Sequence, residues 1–367
     1  MTHGGNIFEI QRKHNINKDT LVDFSSNINP LGIPESLKTL IIDKIAELEC
    51  YPDIHYHQLK TIIAEYYSLD QKDIFVGNGA AQVIYDAIHA VKPKMSIILA
   101  PTFSEYERAL VSHGSKVQYH YLEEKNNFNL REEDLIGAID DSVDLVVLCN
   151  PNNPTSKLIK KDNIKKILDK CKKHNTFLMI DEAFMDFVED DEYYSMLGDY
   201  REYNNLIIVR AFTKFYGIPG LRLGFGISRN EKIIASVSEN TIPWSLNTFA
   251  GYFGQVLLSE KEYVEKTYNW LREEKKRFVK KLAEIEGITV YIPSVNFILI
   301  KIVKENVDVD ILKERLLKEN ILIRDCSNFN GLSKKFFRIA IKDPILNDRF
   351  VDSLIKAMDY SLEDKYK

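Results

Sequence analysis

Cysteine is scarce in this chain of 367 residues. The four cysteines lie far apart and form no C-x-x-C pair; they are Cys50, Cys149, Cys171 and Cys326. That spacing argues against a structural zinc site and against a disulfide framework. No apolar run approaches the roughly 20 residues of a membrane span, and the start MTHGGNIFEI lacks the pattern of a signal peptide. We therefore predict a cytoplasmic protein with no metal centre and no membrane contact.

An excess of positive charge is also missing. The chain has 49 lysines and arginines against 54 aspartates and glutamates, a formal net charge of −5. Nothing in this balance attracts nucleic acid, so we predict no nucleic-acid partner. A bound anion has to be held by a local cluster of cations, and such a cluster is what the sequence must supply if the ligand is a phosphate or a carboxylate.

Short apolar runs alternate with amphipathic segments over most of the chain. The runs cover residues 96–100, 144–150, 176–181, 205–212 and 223–228, and a charged amphipathic segment covers 161–174. Continuous apolar strands separated by helices predict an α/β protein with a mainly parallel sheet covered on both faces. From about residue 255 the pattern changes to a long charged helix followed by short strands. We predict an N-terminal arm over 1–40, a large domain over 41–255 and a smaller α+β domain over 256–367.

Three polar motifs follow predicted strands. They are NPNNPT at 150–155, DEAFMDF at 181–187 and TKFYGIPGLRLG at 213–224. Each has an ordinary interpretation: a turn, a helix N-cap and a surface lysine. Because the carboxyl ends of parallel strands meet at one edge of a sheet, their joint occurrence in this order predicts a functional site at that edge.

The set of motifs resembles the fold-type-I pyridoxal-phosphate enzymes of the aspartate aminotransferase superfamily, over essentially the whole chain. The resemblance implies a mainly parallel seven-stranded sheet sandwiched by helices, with a smaller α+β domain beside it. Further stretches resemble the branch of this superfamily whose members decarboxylate L-threonine O-3-phosphate in cobalamin biosynthesis. They are HGGN (3–6), DFSSNINPLGIP (23–34), FSEYERAL (103–110), PWSLN (243–247) and ILIRDCSNFNGL (321–332). The alternative branch is histidinol-phosphate aminotransferase.

The resemblance implies that the protein binds pyridoxal 5'-phosphate as its cofactor, and it implies which residues contact this cofactor. Lys214 would form the Schiff base with the cofactor aldehyde, and Asp181 would pair with the pyridine nitrogen and keep it protonated. Asn153 would donate to the ring 3-oxygen, and it would also lie beside the substrate. Phe103 would stack on the ring face, although the residue alone is equally compatible with an ordinary core position.

The cofactor phosphate would bind at the start of a helix. The resemblance implies contacts from the backbone N–H groups of Ala80 and Ala81, with Thr213 and Arg222 completing the site. Tyr51 would reach this phosphate from the other subunit, which implies a homodimer with shared active sites. Without the resemblance Tyr51 is an unremarkable turn residue.

The substrate is expected to be a small phosphorylated amino acid. Arg338 would bind its α-carboxylate bidentately, unless it is an edge-strand arginine in an ion pair. The candidates for its phosphate are His3, Gly4, Asn27 and Arg324. An N-terminal HGGN is otherwise typical of a flexible tail.

The shared machinery does not separate a decarboxylase from a transaminase. The reaction depends on which substrate Cα bond stands perpendicular to the cofactor plane, and a second anchor on a remote phosphate can set that rotation. Phe184 stands where the aminotransferases have tyrosine, and this favours decarboxylation. Ser156 replaces a usual glycine and Ala211 a usual hydroxyl residue, two departures that bear on the phosphate site.

Overall fold

The structure is a computed structural model that describes residues 4–17, 19–257 and 260–359. Within these residues no helix combines the length and the apolar character that crossing a membrane requires. The chain divides into two compact units. The large unit comprises Leu31–Asn153 and Lys157–Thr267, and the small unit comprises Met1–Pro30, Pro154–Ser156 and Tyr268–Lys367.

The strands and helices follow one another along the whole described chain. The strands are β1 (Val22–Asp23), β2 (Ile74–Gly77), β3 (Met95–Ala100), β4 (Lys116–Tyr121), β5 (Leu145–Cys149), β6 (Phe177–Asp181), β7 (Leu206–Ala211), β8 (Gly224–Ile227), β9 (Ile288–Val290), β10 (Phe297–Ile302), β11 (Ile321–Leu322), β12 (Arg324–Asp325) and β13 (Phe336–Ala340). The helices are α1 (Ile7–His14), α2 (Glu35–Asp43), α3 (His57–Tyr67), α4 (Gly79–Val91), α5 (Glu105–Ser112), α6 (Glu132–Ala138), α7 (Lys161–Lys173), α8 (Glu231–Asn240), α9 (Thr248–Tyr252), α10 (Gly254–Leu257), α11 (Lys261–Ala283), α12 (Val309–Lys318) and α13 (Pro344–Asp359).

The large unit contains a seven-stranded sheet in the order β2-β8-β7-β6-β5-β3-β4. Its neighbouring strands are parallel except that β8 runs antiparallel to both β2 and β7. Strands β5 and β7 are buried along their full length, which explains why every residue in them except Arg210 is apolar. Helices α4, α5 and α8 supply much of the apolar core against one face. The predicted α/β fold with a large, mainly parallel sheet is confirmed.

The register of this sheet brings the three polar motifs to one edge. Cys149 at the end of β5 is paired with Asp181 at the end of β6, and Asp181 is paired with Val209 of β7. Residues 150–153 and the Asp181 side chain therefore lie beside each other, and the chain that leaves β7 enters the Lys214 motif at the same edge.

The small unit is an α+β arrangement. Its antiparallel sheet has the order β12-β13-β10-β9, and β1 pairs in parallel with β11. Helix α1 packs through Ile10 against Leu317 of α12 and Leu322 of β11. The N-terminal segment is thus held to the small unit both by a strand pairing and by an apolar contact.

Candidate active site

The Lys214 motif is a tight turn directly after β7. The Thr213 carbonyl accepts the Ile218 N–H at 3.1 Å, and the Lys214 carbonyl accepts the Gly217 N–H at 3.4 Å. Gly217 has φ +63°, and a Cβ there would lie 2.6 Å from the Gly32 carbonyl oxygen, so no larger residue fits. Thr213 is buried while Lys214 is half-buried. The turn therefore presents the lysine from a fixed backbone.

Asp181 is a carboxylate buried without a basic partner. Only 4 % of the residue is exposed. Its oxygens accept the Tyr106 hydroxyl at 2.6 Å and the Ala183 N–H at 2.9 Å, and no lysine, arginine or histidine of the described chain forms an ion pair with it. Burial raises the pKa of Asp181, and these two hydrogen bonds oppose the increase. A cationic ring N–H is the group that would complete this environment, so the site fits the pyridine nitrogen of the expected cofactor.

The loops after β3 and β5 are fastened to each other. The Thr102 hydroxyl donates to the Asn152 side chain at 2.9 Å, and the Asn152 amide donates to the Pro101 carbonyl at 3.0 Å. These bonds lie next to Phe103, which is half-buried, and next to Asn153, which is buried. Asn152 is a site residue that the sequence did not single out, although it stands in the middle of NPNNPT.

The first turn of α4 forms a cradle for an anion. Gly79 has φ +81°, and a Cβ on it would collide with the Arg222 guanidinium, so this cation lies against the start of the helix. A Cβ on Gly224 would lie 2.6 Å from the Ala80 nitrogen, so the strand next to the turn also approaches closely. Backbone N–H groups at a helix start together with an arginine suit a phosphate group. Arg222 thus lies beside Gly79, the residue that precedes Ala80 and Ala81 in the helix.

Tyr51 lies on the surface of the large unit, 80 % exposed. Its ring centroid is 4.7 Å from that of Trp244, which is itself 46 % exposed. Large apolar residues near Tyr51 or Trp244 in the sequence are also exposed; they are Ile42, Ile45, Leu48, Ile54 and Ile242. Ile45 and Leu48 share one face of a 3-10 helix, Ile45–Glu49, since positions three apart coincide in that helix.

The small unit contains two buried arginines side by side. Arg324 of β12 and Arg338 of β13 are directly paired in the sheet, and each is 5 % exposed. The Arg338 guanidinium donates to the Ser25 carbonyl at 2.7 Å, and Arg324 donates to the Asn328 side chain at 2.8 Å. Burial lowers the pKa of Arg338 to about 10, with a further decrease from the charge of Arg324. Two adjacent cations in an apolar setting indicate a site for an anion.

Asn27 has a side chain with no hydrogen bond despite its burial. It is 2 % exposed, and neither its amide nitrogen nor its oxygen has a partner. The Asn296 side chain donates to the Asn27 carbonyl at 3.2 Å, while the Asn296 side-chain oxygen also has no partner. Unpartnered buried amides are costly, which is a reason to expect a polar ligand at this position.

The HGGN segment is anchored through Ser25, which also binds Arg338. The Gly5 N–H donates to the Ser25 hydroxyl at 2.8 Å, and a Cβ on Gly4 would collide with the Ser25 carbonyl oxygen. Gly4 is therefore held where any other residue would be displaced. His3, the neighbouring candidate, lies outside the described residues.

Comparisons with known proteins agree with this geometry. The family model for aminotransferase class I and II matches residues 19–354. The chain belongs to the class I and II aminotransferases.

Several members of this family resemble the chain along nearly its full length. Threonine-phosphate decarboxylase of Salmonella typhimurium is 36% identical over 96% of this chain and 95% of its own. A putative threonine-phosphate decarboxylase of Caldanaerobacter subterraneus is 42% identical over 93% and 89%. A crystal structure described as the histidinol-phosphate aminotransferase of Clostridium acetobutylicum has a TM-score of 0.86 and 38% identity, covering 92% of this chain and 99% of that one.

One departure from the usual family sequence is explained by local contacts. Ser156 has φ +59°, a conformation that favours glycine. Its hydroxyl accepts the N–H groups of Ser294 at 3.0 Å and Val295 at 3.1 Å. The serine thus compensates for its unfavourable backbone by binding a neighbouring loop of the small unit. Nothing in the structure explains Ala211, which is simply buried at the end of β7.

A buried ionic cluster lies beside the candidate site, and no sequence motif predicted it. Arg210 is fully buried and pairs with Glu182 at 2.9 Å and with Asp186 at 2.8 Å. The Ser195 hydroxyl joins the cluster by donating to Glu182 at 2.7 Å. Because Glu182 follows Asp181 and Arg210 precedes the Lys214 turn, the cluster ties β6 to β7 next to both site residues. Its signal in the sequence is an arginine inside an otherwise apolar strand.

We expect Arg210→Met to destabilise the protein by about 3–5 kcal/mol, since it leaves two carboxylates buried without their cation. Arg201→Met is the matched control, because Arg201 pairs with Asp70 at the surface and exposed pairs contribute about 0–1 kcal/mol. The measurement is urea unfolding followed by circular dichroism. If the two variants lost the same free energy of unfolding, the buried cluster would not be the important contribution to stability that we expect.

Proposed function

We propose that the protein is a pyridoxal-phosphate-dependent decarboxylase that converts L-threonine O-3-phosphate to (R)-1-amino-2-propanol O-2-phosphate and CO₂, the reaction assigned by resemblance to cobalamin biosynthesis. The observation that carries this proposal is the buried pair Arg324 and Arg338. Two adjacent guanidinium groups suit a substrate with two anionic groups, a carboxylate and a phosphate. The names of the relatives from Salmonella and Caldanaerobacter support the same choice.

The large unit would hold the cofactor. The start of α4, Arg222 and Thr213 would bind the cofactor phosphate. Asp181 would bind the ring nitrogen and Asn153 the ring oxygen. Phe103 would stack on the ring face. When bound, the cofactor supplies a cationic ring that accepts the electron pair of the bond broken at the substrate Cα. Asp181 would keep that ring charged, because a buried carboxylate stabilises a nearby cation in a low-dielectric setting.

The small unit would orient the substrate. Arg338 would bind the substrate carboxylate. The substrate phosphate would be bound by Arg324, Asn27 and Gly4. Held at both ends, the substrate cannot rotate freely about Cα, so its carboxylate can be kept in the orientation that loses CO₂. Lys214 would then return a proton to Cα from its ε-ammonium group. The half-buried position of this lysine on a fixed turn suits such a transfer.

The alternative activity is that of a histidinol-phosphate aminotransferase, which the name of the Clostridium relative favours. That reaction also uses a phosphorylated substrate, so the buried arginines do not exclude it. The residue that argues for decarboxylation is Phe184, which is buried and carries no hydroxyl for the cofactor ring.

We also propose a homodimer in which Tyr51 of one subunit contacts the cofactor phosphate of the other. The support is the exposed apolar surface around Tyr51 and Trp244, since such surfaces mark protein interfaces. A cytoplasmic location is proposed as well. All four thiols are free, as expected in a reducing compartment.

The activity is tested by two assays on the purified holoenzyme. We expect CO₂ from O-phospho-L-threonine and no glutamate from histidinol phosphate with 2-oxoglutarate. Lys214→Ala is expected to lower CO₂ release by at least about 10³-fold, because it removes the proton donor, while circular dichroism stays unchanged. Glutamate without CO₂ would instead establish the aminotransferase.

The role of the buried arginines is tested by Arg324→Gln. We expect kcat/KM for phosphothreonine to fall about 10- to 100-fold, the effect of losing a charged hydrogen bond, together with weaker inhibition by inorganic phosphate. Arg349→Gln serves as the control, since this arginine of the same unit is exposed and donates to the Glu319 carbonyl at 2.6 Å. An unchanged kcat/KM in Arg324→Gln would remove the phosphate-anchor role.

The shared site is tested by mixing two inactive variants, Lys214→Ala and Tyr51→Ala. In a mixed dimer one site combines an intact Lys214 with an intact Tyr51 only if the tyrosine comes from the other subunit. With random exchange we expect recovery to about a quarter of the wild-type activity, because half of the dimers are mixed and each has one good site. If mixing gives no more than the average of the two variants, Tyr51 does not act across subunits.

A further inference from the structure

Tyr106 is a fully buried tyrosine whose hydroxyl donates a hydrogen bond to Asp181. It lies in the first turn of α5, and its hydroxyl oxygen is 2.6 Å from Asp181 Oδ2. The two residues are 75 positions apart in the chain, so the fold alone brings them together. None of the roles proposed above involves this side chain.

The same tyrosine also supports Phe103. The two rings pack edge to face, with centroids 5.6 Å apart and an angle of 82° between their planes. In addition, the Tyr106 N–H donates to the Phe103 carbonyl at 3.3 Å. One buried side chain therefore contacts two of the residues that would hold the cofactor ring, one through its hydroxyl and one through its ring.

The hydrogen bonds of Asp181 come from neutral donors only. Ala183 N–H binds Oδ1 and the Tyr106 hydroxyl binds Oδ2. Burial holds the pKa of the Tyr106 phenol well above its usual value, so the phenol keeps its proton and is always the donor. Cys149, the register partner of Asp181, is another titratable neighbour, and burial raises the pKa of its thiol, which is therefore neutral as well.

We propose that Tyr106 is a positioning residue for the reaction: its hydroxyl keeps the Asp181 carboxylate ionised and oriented toward the ring nitrogen. The proposal rests on the proposed function. Desolvation favours the neutral acid at Asp181, which could not keep a ring nitrogen charged. A short hydrogen bond to the ionised form opposes this tendency. Tyr106→Phe removes only the hydroxyl, since the ring, its packing on Phe103 and the core volume remain.

The first test is the pH profile of the holoenzyme with phosphothreonine. In Tyr106→Phe we expect the acid limb of kcat/KM to move to higher pH by about one unit, with kcat lowered about 10-fold at pH 6 and KM unchanged. Tyr200→Phe is the matched control. It also removes the hydroxyl of a buried tyrosine that donates to a carboxylate, that of Asp73, at 3.1 Å. No catalytic role is proposed for this part of the unit. A limb that stays in place in Tyr106→Phe would overturn the proposal.

The second test uses the cofactor-free full chain and needs no decarboxylase activity. Because the folded pKa of Asp181 is raised, its ionisation opposes folding as pH rises above the unfolded value. Without the Tyr106 hydroxyl this pKa rises further. The loss of Tm caused by Tyr106→Phe should therefore be larger at pH 8 than at pH 5.

In an Asp181→Asn background the same substitution should cause a pH-independent loss of Tm. A loss that is equal at both pH values in the wild-type background would show a merely structural role and overturn the proposal. Should the holoenzyme release no CO₂ from phosphothreonine, the proposed function fails, while this result on the cofactor-free chain still decides whether Tyr106 controls the charge of Asp181.

Discussion

A carboxylate buried without a cation is the constraint on which the large unit depends. Asp181 is surrounded by an apolar sheet, and the described residues offer it only neutral hydrogen-bond donors. Burial favours the neutral form of such a group, and it stays ionised only where hydrogen bonds or a nearby cation stabilise the charge. The neighbouring features follow from this: Tyr106 fixes one oxygen, the Arg210 cluster locks the adjoining strand, and the Lys214 turn follows next along the sheet edge.

The small unit shows the same principle with the opposite charge. Arg324 and Arg338 are paired in a sheet, and their buried contacts include a carbonyl, an amide oxygen and aromatic faces. Like charges opposite each other on a sheet are unfavourable without a ligand. An anionic ligand would relieve this repulsion, which is why we propose that the two arginines bind and orient the substrate. The unpartnered amide of Asn27 adds a polar contact of the same kind.

Much of the fold and part of the site could be predicted from the sequence. The run 206–211 is apolar apart from Arg210 because strands of a covered sheet are buried on both faces, and the motifs after such runs predicted the positions of Asp181, Asn153 and Lys214. Tyr106 and Arg210 were missed because a tyrosine in a helix and an arginine in a strand have common structural roles. Their contacts with Asp181 and with Glu182 form only in the folded chain, because each pair joins positions that are far apart in the sequence.

The order of strands and helices, and the edge at which the functional residues gather, were determined by the sequence itself, since apolar periodicity and strand-end position are local properties. Which side chains share one environment was decided by the tertiary structure. Three features depend on neighbours brought together by folding: the burial of Asp181, the pairing of two arginines in a sheet, and the buried Asn27 side chain without a hydrogen-bond partner. Those neighbours set the pKa values of Asp181 and of the two arginines, and no local pattern of residues contains that information.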